Sequence, residues 1–566
     1  MSQTRRRFLQ ATGVAGLAMA ASDRIGELLA MSPQGAVMQS SFKGMADLAL
    51  GDAKRQGTTY ADIRFTRTVS IGNYMATAAN GTADASLFAG TPANSVAIGG
   101  AAGRAGGAGG RAGGGGGRGG GFGFGPGDPP TGAGGFGVRV IHSGVWGFAS
   151  SPIVTEDEIR RITRLAVEIA KASAIAKKVD VRLAPVEAYQ VNWSTPLGRD
   201  PRTMSDVDKN ATVQAVVDRV MKNKDVLNVT ASVGITHEWK YLASSEGSYI
   251  EQEIMTTNPS VSVSARKGDV VRTRTLEGPM GTGGWELVDQ AGMLDQAEQL
   301  AVDAVEFAGA PAITPGVRDL ILAPSHLSLT LHEIVSHPTE LDRVMGYEAN
   351  YAGTSFVKLG DVGKLKYGSK LFNITADKTR RHGNATIGYD DDGVKTTEFP
   401  IVRDGILVGL QSNRETAHYI GDKASRGCTQ ATTWRDYPFL RMCNLHLDAD
   451  PKGPTPEEMI ADTKDGVLIE GTGSFSIDQQ RYNGQFGGNA FWEIKNGKKT
   501  RMVTNVTYNA ITTDFWGNLD AVSGPASWRM FGLTGDAKGQ PVQSQRVSHG
   551  ASYCRIRKMM VGGAYQ

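Results

Sequence analysis

A glycine-rich tract near residue 100 limits how this chain can fold. Residues 99–137 contain 22 glycines in 39 positions, and glycine has no side chain to bury. Such a segment cannot remove enough apolar surface from water to offset the chain entropy lost on ordering. We therefore predict a disordered, solvated insertion over residues 99–136, inside a domain. The hydrophobic cores must come from the sequence on either side of it.

The rest of the composition is typical of a globular protein. Of 566 residues, 40% are hydrophobic and 21% are charged, which suits two or three domains with buried cores. Lys and Arg number 60 against 57 Asp and Glu, a balance that does not indicate a nucleic-acid partner. No apolar run reaches the ~20 residues that an integral membrane span needs. Three cysteines are too few for a disulfide scaffold or a four-cysteine zinc site.

The N-terminus resembles a twin-arginine export signal. Residues 5–9 read Arg-Arg-Arg-Phe-Leu and precede a weakly hydrophobic run, rich in Ala and Gly, over residues 11–21. We interpret residues 1–35 as this signal and expect a periplasmic or other extracytoplasmic protein. The cleavage site is poorly marked, so an uncleaved signal that anchors the chain is the alternative.

Hydrophobic spacing predicts an α+β fold with two domains. The first, over residues 40–312, combines helices with an antiparallel meander at 228–277. Its predicted helices cover residues 42–56, 155–169, 206–222 and 285–308. The second, over residues 316–566, is β-dominated and carries one helix at 325–337.

One short motif carries most of the functional information. Residues 332–337 read His-Glu-Ile-Val-Ser-His. Two imidazoles can hold Zn²⁺ and leave positions for a third ligand and a water, whose pKa the metal lowers to about 7. Glu333 is placed to take the proton of that water and to deliver it to a leaving amine. A Tyr or Arg is also expected at the developing oxyanion, and the sequence does not identify it.

The spacing of the two histidines does not suit a regular α-helix. His332 and His337 are five residues apart, so an ideal helix would splay their side chains by about 140°. Pro338 cannot donate to the carbonyl of Ile334, and it biases His337 away from the α region. We predict a π-type widening or an early end of the helix, either of which turns His337 towards His332. Without it, these are two unrelated histidines.

Three acidic residues, Asp390, Asp391 and Asp392, precede Gly393. They could bind calcium, but no bidentate Glu follows at the position that a calcium loop requires. Because Asp-Gly is a strong turn signal, we predict a charged hairpin turn. Arg441 is expected to hold a peptide carboxylate or to pair with an Asp.

These segments together resemble the TldD/PmbA family of metallopeptidases, formerly named modulators of DNA gyrase. Matching segments are YADIRFTR, GVWGFAS, GYDDDG, RDGILVGL, RMCN and KGQP, which begin at residues 60, 144, 388, 403, 441 and 538. Glu340 and Asp342 match acidic positions after the family's motif. The resemblance implies a two-domain peptidase whose internal cavity, near a homodimer or heterodimer interface, admits unfolded peptides.

The resemblance also implies a third metal ligand, and here the chain departs from the family. The family's ligand is a cysteine two residues before a lysine, and alignment on Lys538 places Asp536 at that position. Asp is a legitimate zinc ligand and also suits other divalent metals such as Mn²⁺ or Fe²⁺. The alternatives are His549, Cys554 or no third protein ligand, and donor type alone does not choose among them.

These observations predict an exported zinc peptidase with one Zn²⁺ per subunit, in which Glu333 activates water to hydrolyse unfolded peptides. The rival is a non-catalytic TldD/PmbA-like subunit that scaffolds or gates an active paralogue. The missing cysteine favours this rival, whereas the retained His332, Glu333 and His337 favour the enzyme. Near-neutral charge and an export signal argue against a nucleic-acid partner.

Overall fold

The computed structural model describes residues 41–80, 134–276 and 278–562. The predicted export signal lies outside these ranges, as do residues 99–133 of the predicted insertion. Within them, no helix is both long enough and apolar enough to cross a membrane.

The N-terminal part of the chain is built on one large sheet. Its strands are β1 (Tyr60–Ala79), β2 (Gly134–His142), β3 (Val145–Ser151), β4 (Gln190–Ser194), β5 (Val226–Ser244), β6 (Tyr249–Lys267), β7 (Val270–Thr275) and β8 (Gly281–Thr282). The order is β3-β2-β1-β5-β6-β4, and β7 and β8 also pair with β6. β2 begins within the range predicted as the insertion, and Phe136 on it is buried.

Helices pack against the two ends of the long strands of this sheet. The helices are α1 (Ser41–Arg55), α2 (Glu156–Ser173), α3 (Asp206–Val220), α4 (Glu286–Ala291) and α5 (Met293–Ala308). α1 and α2 bury one hydrophobic cluster, and α3 to α5 bury another. The single helix predicted over 285–308 is wrong, because Gly292 adopts a left-handed φ of 57° and separates α4 from α5. Glycine reaches that conformation without steric cost.

The C-terminal part surrounds the largest hydrophobic core with short strands. The strands are β9 (Gly316–Leu322), β10 (Ile374–Asp377), β11 (Glu398–Arg403), β12 (Ile406–Leu407), β13 (Thr429–Gln430), β14 (Phe439–Leu440), β15 (Leu445–Leu447), β16 (Asp465–Glu470), β17 (Phe475–Ile477), β18 (Asn483–Gly487), β19 (Ala490–Lys495), β20 (Lys498–Met502), β21 (Thr507–Ile511), β22 (Leu519–Val522), β23 (Arg529–Lys538), β24 (Gln543–Ala551) and β25 (Cys554–Val561). The helices are α6 (Pro324–Leu331), α7 (Leu341–Val344), α8 (Pro456–Ala461) and α9 (Thr512–Gly517).

Two sheets organise these strands. One has the order β12-β11-β10-β15-β24-β23, and the other has the order β17-β18-β21-β25-β9-β16-β19-β20, with β22 beside β25. β13 and β14 pair separately. Helix α6 follows β9 and packs against β23 and β24. The predicted α+β class, with a β-dominated C-terminal part, is confirmed.

A buried acidic turn joins the two parts of the molecule. Tyr389 pairs with Lys395 across the turn, so the predicted hairpin is present. Its three carboxylates are buried instead of solvated. Asp391 accepts a hydrogen bond of 3.0 Å from Lys240, and Asp392 accepts one of 2.8 Å from Arg139. Both cations belong to the N-terminal sheet. Because they lie more than 140 residues before the turn along the chain, their pairing with it could not be predicted from the sequence.

Removal of Asp391 tests this junction. The variant Asp391→Ala leaves the Lys240 ammonium and the neighbouring Arg64 guanidinium buried without their carboxylate. It should lower the free energy of unfolding by about 3 to 5 kcal/mol, measured by urea denaturation of the full chain. The control is Asp269→Ala, at an exposed turn, which should change stability by less than about 0.5 kcal/mol. Equal effects of the two variants would contradict the role given to the buried turn.

Candidate metal centre

The helix that carries the histidine motif widens at the motif itself. α6 is regular only as far as Leu331, and His332–Ser336 continue it as a π-helix. A 3₁₀ turn over His337–Thr339 follows, with Pro338 in its first positions. The ring centroids of His332 and His337 lie 4.6 Å apart. The predicted π-type widening is confirmed, and it compensates for the five-residue spacing.

Side chains from other segments bind the backbone carbonyls that the widening leaves without helical partners. The Tyr367 hydroxyl donates to the carbonyl of Ile334 at 2.7 Å, the group to which Pro338 cannot donate. The Gln411 amide donates to the carbonyl of Ser336 at 2.8 Å. A buried carbonyl without a partner costs about 1–3 kcal/mol, so these contacts stabilise the widened turn.

Three predicted ligands converge behind this turn. Oδ1 of Asp536 lies 3.8 Å from Nε2 of His332 and 3.6 Å from Nε2 of His337. One donor atom from each residue lies within 4.8 Å of the others, and all three side chains are buried. A tetrahedral ion with bonds of about 2.1 Å separates its ligand atoms by roughly 3.4 Å. The donor set and its spacing therefore fit a divalent metal ion.

Asp536 is held as a carboxylate with one oxygen free. Arg441 donates through Nη2 to Oδ2 of Asp536 at 2.8 Å, which leaves Oδ1 facing the two histidines. Burial acts to raise the pKa of Asp536, but Arg441 and the histidines outweigh it and lower this pKa to about 2. Of the two roles expected for Arg441, the structure has the pairing with an Asp.

His337 is arranged as a neutral ligand. Its Nδ1 lies 2.8 Å from Oε2 of Glu340. Lys538 and Arg343 overcome the effect of burial and hold the pKa of Glu340 well below its usual range, so this carboxylate can only accept. Nδ1 therefore carries the proton, although Nη2 of Arg343 lies 3.1 Å away, and the lone pair of Nε2 faces Asp536. Burial, followed by Arg343, lowers the pKa of His337 to about 4.

His549, the rival ligand, lies behind His332. Nε2 of His549 is 3.0 Å from Nδ1 of His332, and the backbone N–H of Leu445 donates to Nδ1 of His549 at 3.2 Å. Burial and His332 keep the pKa of His549 well below its usual range, so its single proton lies on Nε2 and points at His332. A metal at Nε2 of His332 needs the lone pair of that nitrogen, so the proton of His332 would have to lie on Nδ1 and that of His549 on its own Nδ1. The backbone N–H of Leu445 would then lose its acceptor.

The described cysteines do not join this donor group. Cys554 is buried in β25, where it pairs with Leu322 of β9. Cys428 and Cys443 are buried free thiols whose sulfur atoms lie 3.3 Å apart. The structure brings these two thiols together without a bond.

Glu333 faces a cation that the sequence analysis missed. Nη1 of Arg481 lies 3.1 Å from Oε2 of Glu333. Burial opposes ionisation of Glu333, but Arg481 and the two histidines outweigh it and keep its pKa below the usual value. Arg481 belongs to the loop between β17 and β18, almost 150 residues after the motif. The expectation of an Arg or Tyr at the oxyanion was the one signal that could have led to it.

Comparisons with protein families cover most of the chain. Residues 315–563 match the PmbA/TldA metallopeptidase C-terminal domain, residues 132–170 match domain 1 of the same peptidases, and residues 199–310 match their central domain. The two N-terminal matches both fall within residues 40–312, which we expected to form a single domain.

Individual relatives agree with this assignment. A metalloprotease of Synechocystis sp. is 27% identical over 436 residues, which are 75% of this chain and 88% of the relative. A zinc metalloprotease TldD homolog of Saccharolobus solfataricus is 22% identical, over 76% of this chain and 90% of its own length. A Thermotoga maritima protein described as a modulator of a DNA gyrase has a similar fold, with a TM-score of 0.65 at 17% identity, over 92% of this chain and all of that one.

The third ligand can be tested by metal content. Asp536→Ala removes a donor that faces both histidines, so bound metal should fall from about one ion per chain to near zero. His549→Ala should keep the metal, because its ring faces Nδ1 of His332 and not the donor group. Metal analysis after gel filtration measures both, with Asp520→Ala as the control for loss of a paired Asp. Metal loss in His549→Ala alone would show that the third ligand is misassigned.

The widened turn can be tested at Tyr367. Tyr367→Phe removes only the hydroxyl that serves the Ile334 carbonyl. Stability of the metal-free chain should fall by about 1–3 kcal/mol in urea denaturation. Metal affinity, measured by chelator competition, should fall about 10-fold, because the turn that orients His332 and His337 loses a contact that holds it. Tyr351→Phe, at a side chain that is 41% exposed, is the control. Unchanged stability and affinity in Tyr367→Phe would contradict this account of the turn.

Proposed function

The chain belongs to the PmbA/TldD family of metallopeptidases, and from that premise we propose that it is a zinc-dependent peptidase. One zinc ion per subunit would be held by His332, His337 and Asp536. The observation that carries the proposal is the convergence of these three buried donors beside an ionised Glu333. Relatives named metalloprotease, one of them a zinc metalloprotease, support it at 22% to 27% identity.

The donor set suits catalysis better than a purely structural role. Catalytic zinc sites have three protein ligands and an open position, whereas structural sites have four. When bound, such an ion lowers the pKa of a coordinated water and polarises a carbonyl. The carboxylate of Asp536 donates less charge than the thiolate of the usual family cysteine, so the site also suits Mn²⁺ or Fe²⁺.

Glu333 is the proposed general base. Its Oε2 has no hydrogen-bond donor of good geometry among the described residues, and only the ion pair with Arg481 approaches it. The carboxylate can therefore accept the proton of an attacking water at Oε2. It would return that proton to the amine nitrogen when the C–N bond breaks.

The proposed substrates are unfolded peptides. His332, Glu333 and His337 are each at most 6% exposed, so the surface of a folded protein cannot approach them. Export through the twin-arginine signal stays a proposal from the sequence. We also propose a homodimer or a heterodimer with a related subunit; TldE of Thermococcus kodakarensis has a similar fold, with a TM-score of 0.60 at 13% identity, over 93% of this chain and all of that one.

A non-catalytic subunit is the second candidate. Two observations favour it: Asp536 replaces the family's cysteine, and the proton on His549 points at His332 in the pattern set by Leu445. Such a subunit would be free of metal after purification with zinc and would hydrolyse no peptide. Metal content therefore separates the two candidates.

The variant Glu333→Gln tests the proposed base. It keeps the shape of the side chain and should retain the metal, because Glu333 is not a ligand. Turnover of an unstructured peptide should fall by about 10²–10⁴-fold, measured by mass spectrometry of the products. The control is Glu457→Gln, at an exposed position of α8, which should retain full activity. Normal turnover in Glu333→Gln would remove this residue from the mechanism.

A further inference from the structure

We propose that Arg481 is a further catalytic residue, which binds the carbonyl oxygen of the scissile peptide bond as negative charge develops there. The inference rests on the proposed peptidase function. It assigns the oxyanion-binding group that the motif residues do not supply.

The loop that carries Arg481 is fixed from within. The carboxylate of Asp478 accepts backbone hydrogen bonds from Tyr482 at 2.9 Å and from Asn483 at 3.0 Å. The carbonyl of Arg481 accepts a bond of 2.9 Å from the Thr512 hydroxyl. Arg481 itself has a φ of 63°, a left-handed conformation that a bulky residue rarely adopts unless its surroundings enforce it. The backbone that carries the guanidinium is therefore held in place by its own loop.

The guanidinium has unused donors at the site. Nη1 lies 3.1 Å from Oε2 of Glu333, and Nη2 donates to the carbonyl of Ala352 at 3.3 Å. Nε is buried and has no hydrogen-bond partner in the described structure. An Arg side chain has five N–H groups, so several remain for a ligand.

The neighbouring cations are committed elsewhere. Their side chains are at most 1% exposed, against 16% for Arg481. Each of these cations binds a buried carboxylate: Arg343 and Lys538 bind Glu340, and Arg441 binds Asp536. Of the cations around the donor group in the described residues, Arg481 is the one that an incoming peptide can reach.

The charge changes during hydrolysis favour a move of the Arg481 guanidinium from the Glu333 carboxylate to the oxyanion of the substrate. In the resting site its positive charge is paired with the Glu333 carboxylate. When water attacks the carbonyl carbon, a proton passes to Glu333 and the π electrons of the C=O bond move to the oxygen. Glu333 becomes neutral as the oxyanion appears, so the guanidinium can stabilise the new anion without a net loss of pairing. When the C–N bond breaks, the C=O bond re-forms, Glu333 returns its proton to the amine and the original pair is restored.

Two variants of the full chain, purified with zinc, test this proposal. In Arg481→Gln, metal content should be unchanged, kcat should fall by about 10²–10³-fold, and KM should change by less than about threefold. Affinity for a phosphinic peptide, whose tetrahedral anion imitates the intermediate, should fall by a similar factor in calorimetry. Affinity for the uncleaved peptide, measured in a Glu333→Gln background, should fall by less than about threefold. Arg481→Lys, which keeps the positive charge, should recover at least tenfold of the lost kcat.

The control is Arg501→Gln, at an exposed Arg that pairs with Glu493, and all its values should match those of the wild type. Full kcat in Arg481→Gln would overturn the proposal. So would equal losses of affinity for the phosphinic and the uncleaved peptide, because that pattern indicates uniform binding. Loss of metal in both Arg481 variants would assign Arg481 a structural role instead. A wild-type chain without metal and without hydrolysis would overturn the peptidase function itself, whatever Arg481 does.

Discussion

The missing backbone N–H of Pro338 is the constraint on which the candidate metal centre depends. A regular helix would direct His332 and His337 to different sides, and Pro338 prevents that helix because it cannot serve the Ile334 carbonyl. The widened turn persists because Tyr367 donates to that carbonyl instead. Other segments of the C-terminal part complete the site by contacts to this turn. Strand β23 brings Asp536 close to His337, and Gln411 donates to the carbonyl at the end of the turn.

Part of the site could be predicted from the sequence because its central residues are close together along the chain. Helical spacing and the properties of one proline were enough to predict that the helix either widens or ends early between His332 and His337, and the structure has the widening. The resemblance to the family pointed to Asp536, and the structure places its side chain beside theirs. Arg481 could not be found in this way, because no local pattern marks a cation that reaches the site from a separate loop. The same limit applies to the acidic turn at 390–392, whose cationic partners lie on the N-terminal sheet.

The fold was predictable to a similar extent and for the same physical reason. Alternation of apolar residues reports how one strand or helix faces its core, and it located the long strands β5 and β6 well. It says nothing about which strands are neighbours, so the single sheet under two helical clusters was not foreseen. The break at Gly292 was missed because helical periodicity continues on both sides of it, and only the backbone conformation shows the interruption.

The charges around the donor group determine how strongly a cation bound there would act on a substrate. Four carboxylates and four cations surround it in the described structure: Glu333, Glu340, Asp342 and Asp536, with Arg343, Arg441, Arg481 and Lys538. Each of these carboxylates is paired with one of the cations, although burial raises the pKa of Asp342. Little of their charge would therefore remain to cancel that of a divalent ion bound at the donor group. The field of such an ion would stabilise the anionic species of the proposed reaction. The ion pairs thus do more than offset the cost of burying each charge: they would leave the charge of a bound metal available to the substrate.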